Sequence, residues 1–139
     1  MKTFGVLAVS VVLVSILFCP MVMAAPFMPD ELQMVQPDPS LPKELSGFFG
    51  KWEWASQVMQ FFLIVEKIDE EKASVYLWRS GWATVPPGWQ RYEAKVSKER
   101  GKYILWFHGP AGMNELTFKG DNLYMDTRPF SPAVFGRVP

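Results

Sequence analysis

Residues Trp89 to Val96 read WQRYEAKV, and their alternation decides the fold class. Arg91, Glu93 and Lys95 fall on one side of an extended chain, and Tyr92, Ala94 and Val96 on the other. Successive strand side chains point to opposite faces, so this is a strand with one wet and one buried face. No segment after Gly50 sustains the apolar spacing of three and four that a helix of comparable length needs.

On either side of this strand, the chain after Gly50 breaks into short aromatic and β-branched runs separated by turn residues, the pattern of an antiparallel meander. The expected strands are Lys51 to Ala55, Phe61 to Ile68, Ala73 to Trp78, Trp89 to Val96, Lys102 to Phe107, Met113 to Phe118 and Asn122 to Asp126. A last one, Ala133 to Val138, is expected to pair back on the first. Asp69 to Lys72, Lys98 to Gly101 and Lys119 to Asn122 read as tight hairpin connections. In FFLIVEKI (61–68) and YILWFH (103–108) both faces are apolar, so parity does not choose the inside there. Either something covers the outer faces of these two strands or part of the outside is an interaction surface.

Seven or eight short antiparallel strands in sequential order can close on themselves, and closure removes the exposed edges of a flat sheet. The expected fold is therefore all-β, a small up-and-down barrel of seven or eight strands. A two-sheet β-sandwich is the alternative. A short helical turn is expected at Pro42 to Phe48, with Ser40 as its cap and Pro42 near the first helical position.

The start of the chain carries a different message. Lys2 precedes an uncharged apolar run from Phe4 to Phe18, and small residues follow at Ala24 and Ala25, so residues 1–24 read as a secretory signal peptide. The apolar run is shorter than the roughly 20 residues that span a bilayer, and no stable membrane span is expected once it is removed. Cys19, the single cysteine, lies inside it and is preceded by Phe18 where a lipoprotein signal needs a small residue, which disfavours lipid anchoring. A cleaved chain would then hold no disulfide, thiolate metal site or cysteine nucleophile. Export without disulfides fits a periplasmic or secreted protein. Residues 25–41, with several prolines and no sustained apolar period, read as a tether or extended arm, and 42–139 as one small domain.

The 14 basic and 14 acidic side chains cancel, and removal of Lys2 with the leader leaves about minus one. With no net field to steer a polyanion, nucleic acid is not an expected partner.

FFGKWEW (48–54), LIVEKIDEEKASVYLW (63–78) and GWQRYEAKV (88–96) together resemble a family of small bacterial lipocalin-like, calycin-type barrel domains. The matching positions are Gly50 and Trp52, Tyr76 and Trp78, and Trp89 and Arg91, over a stretch from about Pro42 to Val138. Where the family often has a second glycine after the opening tryptophan, this chain has Trp54. The resemblance implies that Trp52 sits at the closed end of the barrel with Arg91 packed against it. It implies little about function.

A domain of this size without disulfides needs several buried aromatics, each worth about 4 to 6 kcal/mol gross, against an ordering cost of about 1.5 kcal/mol per residue. Trp52, Tyr76, Tyr92, Leu105 and Leu123 are accordingly expected in the core. Trp82 and Trp89 flank ATVPPG (83–88), a connection whose prolines cannot serve a sheet interior, which puts large rings at a barrel mouth. There Trp82 reads equally as a plug over the rim or as a ligand contact, and Trp89 more readily as structure.

Catalytic chemistry is hard to assemble. His108 stands alone, and Glu53, Glu66 and Glu93 fit a solvated strand face better than a carboxylate pair. There is no metal-ligand spacing, phosphate loop, dinucleotide fingerprint or G-x-S-x-G. The expectation is a non-enzymatic binding module with no cofactor or metal. Its mouth, lined by Trp54, Trp78, Trp82, Trp106 and Tyr124, with Trp89 nearby, would accept a small apolar or amphipathic molecule, and Arg79 or Arg91 would hold an acidic head group. Two alternatives remain: a filled barrel that presents its two-sided strands to a protein partner or to its own copy, and a carbohydrate-binding module that stacks exposed indoles on sugars.

Overall fold

The pattern of wet and dry faces is realised as a closed barrel. A computed structural model describes residues 26–56, 59–81 and 86–139. The expected leader and Trp82 lie outside the described residues. Among the described residues there is one short helix, α1 (Lys43–Ser46), and eight strands: β1 (Gly50–Ala55), β2 (Gln60–Ile68), β3 (Lys72–Arg79), β4 (Gly88–Glu99), β5 (Lys102–Gly109), β6 (Gly112–Lys119), β7 (Asn122–Thr127) and β8 (Ala133–Val138). Each strand pairs antiparallel with the next, and β8 closes on β1 through Lys51–Val138, Trp52–Arg137 and Glu53–Gly136. The sandwich alternative is thereby set aside.

Parity along each strand decides what faces inward. In β4 the inner set is Tyr92, Ala94 and Val96, opposite Val75 and Ala73 of β3 and Leu105 of β5. The same parity carries Leu63 and Val65, Leu116, Leu123 and Phe135 into the core, where all are fully buried. Of the expected core residues, Trp52, Leu105 and Leu123 are inside, and Tyr92 faces inward but is only half-buried. Tyr76 is buried on the outer face, since its register partners Ile64 and Arg91 both point outward.

Two ends follow from strand direction. At one, α1 delivers Leu45 and Phe48 over the barrel, and Phe48 and Trp52 both pack on the Phe118 ring at centroid distances of 4.7 and 5.5 Å. The turns at this end are tight. Arg100 and Gly101 both take positive φ, the conformation that suits a two-residue hairpin, and Asp69 Oδ1 accepts the amides of Glu71 and Lys72. The opposite end is bounded by the connections β1–β2, β3–β4, β5–β6 and β7–β8 and lacks such a helical cover among the described residues. Pro86 and Pro87 lead into β4 at that open end.

Two local expectations need correction. Ser40 does not cap α1: Pro42 holds the N-cap position with no side-chain hydrogen bond, its carbonyl accepting the Leu45 and Ser46 amides, while the Ser40 amide bonds Asp38. Arg91 does not pack on Trp52 either. It lies on the outer face of β4, and Arg137 of β8, paired across from Trp52, stacks on the indole at 4.2 Å.

Residues 26–41 run without regular structure against the outer face of β2 to β4. The Val35 amide donates to the Glu66 carbonyl at 2.8 Å, and Trp89 Nε1 donates to the Phe27 carbonyl at 2.7 Å. Phe62 and Ile64, outward residues of β2, are buried on this face. The two-sided apolar character of β2 thus has a partner in the chain itself.

Candidate functional site at the open end

Where inward parity reaches the open end, the core gives way to a cleft of about 200 Å³. Trp54 of β1 and Phe61 of β2, directly opposite in register, form one wall with ring centroids 5.3 Å apart. Leu77, Met125 and Ala133, all buried, form the floor, and Phe130 of the β7–β8 connection stands at the rim. A predominantly apolar concavity of this kind is what a small-molecule site requires.

Its polar groups are few. Asn114 of β6 is buried and accepts a hydrogen bond from Thr127 Oγ1 of β7 at 2.5 Å. Gly109 makes room for it: a Cβ there would lie 2.5 Å from Asn114 Nδ2. Arg79, the last residue of β3, is the cation of the cleft. The ion pairs among the described residues are Lys72–Glu93 and Arg91–Glu66, so Arg79 has no carboxylate partner there. Its charge reaches the inward phenol of Tyr92: burial pushes that phenol up, and Arg79 partly offsets the push. Tyr92 in turn donates its hydroxyl to Gln90 Oε1.

The tryptophans and arginines singled out from the sequence do not converge on this cleft as a set. Trp54 and Arg79 line it. Trp78, Trp89 and Arg91 lie on the outer face, with Trp78 edge-on to Phe62 at 5.8 Å and Trp89 edge-on to Tyr76 at 6.4 Å. Trp106 also points outward, where its Nε1 donates to Ser97 Oγ, and Tyr124 carries Lys119 on its outer ring face at 4.6 Å. Phe61, Leu77, Asn114, Met125, Thr127 and Phe130 were not anticipated. Parity offered a signal for one of them: in MNELTF (113–118) Asn114 shares the inward side with Leu116 and Phe118, and a lone amide on an apolar face marks a special position.

A second cluster lies under the arm. Glu66 points outward with Ile64 by strand alternation, and a β-bulge between Val65 and Lys67 leaves it beside Lys67 opposite Ser74, its side chain against β3 and β4. It is only 3% exposed. Oε1 accepts from Ser74 Oγ at 2.7 Å and Arg91 Nη2 at 2.6 Å, and Oε2 accepts the Gln33 amide at 3.1 Å. Burial raises the carboxyl pKa, but the bonds from Ser74, Gln33 and Arg91 together with the Arg91 charge outweigh it, leaving Glu66 below the ordinary range. The solvated face expected for Glu66 is thus a buried, fully partnered carboxylate that ties the arm to the barrel. His108 is exposed, and among the described residues no three His, Cys, Asp or Glu side chains come together to hold a metal.

Comparison of the chain with family models, with curated proteins and with solved structures finds no match. An eight-stranded antiparallel closed barrel is consistent with a calycin-like fold, and a barrel with an aromatic cluster is compatible with a binding module.

Proposed function

We propose that this protein is an exported, non-enzymatic binding module whose open end takes the apolar part of a slim amphipathic anion. The observation that carries the reading is Arg79: a cation without a carboxylate partner among the described residues, at the edge of a cleft walled by Trp54 and Phe61. A guanidinium beside apolar surface matches a carboxylate, sulfonate or phosphate head group with a hydrocarbon or aromatic body. At about 200 Å³ the cleft is smaller than the roughly 300 to 1,000 Å³ of pockets that engulf drug-sized ligands, so a narrow chain or a single ring suits it better than a bulky molecule. Membership of the lipocalin-like family is part of the same reading, supported by Gly50 and Trp52 at the start of the first strand and by the closed barrel. Export rests on the apolar leader sequence.

The test uses anilinonaphthalene sulfonate, an anionic aromatic probe, titrated into the purified protein. One saturable site is expected, displaced by decanoate. Arg79→Gln should weaken binding about tenfold, the worth of one charge-assisted contact of about 1.5 kcal/mol, and Trp54→Ala should weaken it further with the barrel intact by far-UV circular dichroism. Unchanged probe affinity in both folded variants would eliminate the open end as the site.

A second reading, a protein-interaction barrel, draws support from a different observation. The centre of the barrel is filled by fully buried Leu63, Leu105, Leu116, Leu123 and Phe135, while Phe130, Met113 and Val134 stay exposed. Concentration-dependent sedimentation separates the readings: a strict monomer at high concentration removes self-association from the second.

A further inference from the structure

The closed end carries a groove of its own, whose charge is built from particular contacts. Between α1 and the β4–β5 and β6–β7 turns runs a groove of about 640 Å³. Lys43, Lys102, Lys119 and Arg137 line it, against the two acids Glu44 and Asp121. None of the four cations is in an ion pair among the described residues. The acidic β2–β3 turn, Asp69 to Glu71, does not border this groove, so a chain of zero formal charge carries a locally positive face.

Arg137 is the fixed member of the set. Its Nη1 donates to the Phe49 carbonyl at 3.0 Å and its Nη2 to the Gly47 carbonyl at 2.6 Å, while its flat face rests on Trp52. Gly50 makes this approach feasible, since a Cβ there would lie 2.8 Å from Nη1. These partners are neutral. They hold the guanidinium plane in place without cancelling its charge, and a guanidinium has five N–H donors, of which these two carbonyls take two. A cation held before its ligand arrives loses less freedom on binding than a free one.

We propose that this groove is an anion site for a phosphate-bearing group. One carboxylate would satisfy Arg137 alone; the three lysines around it, of which Lys119 rests on the Tyr124 ring, match as point charges a group with several oxygens and more than one negative charge. Tyr103 and Phe118 in the groove wall offer ring surface to whatever the phosphate is attached to. The site lies at the opposite end of the barrel from Arg79 and does not depend on the open-end reading.

Two probes distinguish the sources of such a group: pyrophosphate for a soluble phosphate, and phosphatidylglycerol vesicles, against phosphatidylcholine vesicles, for a lipid head group. The variant is Lys102→Gln/Lys119→Gln, which leaves the Arg137–Trp52 contact alone, and the control is Lys95→Gln, an exposed lysine on the outer face of β4. Binding of the wild-type protein should weaken as salt rises from about 50 to about 200 mM, because exposed charges are screened within about 10 Å. The double variant should lose about tenfold or more, and the control nothing. Binding of pyrophosphate, alone or with the vesicles, supports the site with a soluble phosphate as sufficient ligand; binding of vesicles alone supports it with a lipid head group as the source. If the wild-type protein binds neither probe, or if the double variant and Lys95→Gln weaken alike, the groove is an ordinary solvated face and the proposal fails.

Discussion

Trp52 and Arg137 illustrate how two residues at opposite ends of the domain sequence become one unit. The register of β1 with β8 puts them side by side, the indole buries its area among Phe48, Phe118 and Leu45, and the guanidinium covers the exposed ring face. Trp52 Nε1 donates to the Phe48 carbonyl at 3.0 Å, so the buried indole leaves no polar group unpaired. Trp52→Ala should cost about 3 to 5 kcal/mol in urea unfolding, the range for losing a buried large aromatic. Gly50→Ala is the sharper test, because φ of 126° strains any side chain and the added methyl meets Arg137. A loss of about 1 to 3 kcal/mol is expected, with most of it recovered on the Arg137→Ala background if the clash dominates. Trp52 was legible from sequence as core. Arg137 was not, because nothing in local sequence says which of 14 basic residues ends up across a barrel seam.

At the scale of elements, the arm and the bulge in β2 act together. An unpaired strand face with Phe62, Ile64 and Tyr76 would expose apolar area to water; the arm lies along that face and is fastened at Glu66 and at Trp89. Glu66→Gln should cost on the order of 1 to 3 kcal/mol, since it keeps the shape and removes the charge that Arg91 faces. The pH dependence has a definite sign. Glu66 lies below its ordinary value of 4.5 in the folded protein, so its contribution is complete above that value and is lost as pH falls through the lower folded one. Acid titration of stability should therefore show a decline below about pH 4.5 that is shallower in Glu66→Gln. Removing residues 26–36 should shift Trp89 fluorescence to longer wavelength, because the indole then loses the Phe27 carbonyl and faces water. An unshifted spectrum would mean that the arm does not cover this ring. Sequence alone read this segment only as a tether or arm: proline content explains why it is extended, and cannot say what it lies against.

At the scale of the molecule, closure makes two chemically different ends. One is sealed by α1 and carries a basic groove between α1 and the β4–β5 and β6–β7 turns; the other opens through the longer connections around Arg79 and Trp54. Because Arg79 has no carboxylate to lose among the described residues, Arg79→Gln should leave stability within about 0.5 kcal/mol while it weakens the anionic probe. A large loss of stability in that variant would assign Arg79 to the scaffold instead. The amino-acid sequence by itself determined the all-β class, the order of the strands, the tight turns and the inward set of β4, because alternation and turn chemistry are local and read directly along the chain. Only the tertiary structure decided that the sheet closes, that Arg137 rather than Arg91 meets Trp52, and which aromatics share a cleft. Those outcomes depend on register between strands far apart in sequence, and a shift of one residue exchanges every inward side chain for an outward one.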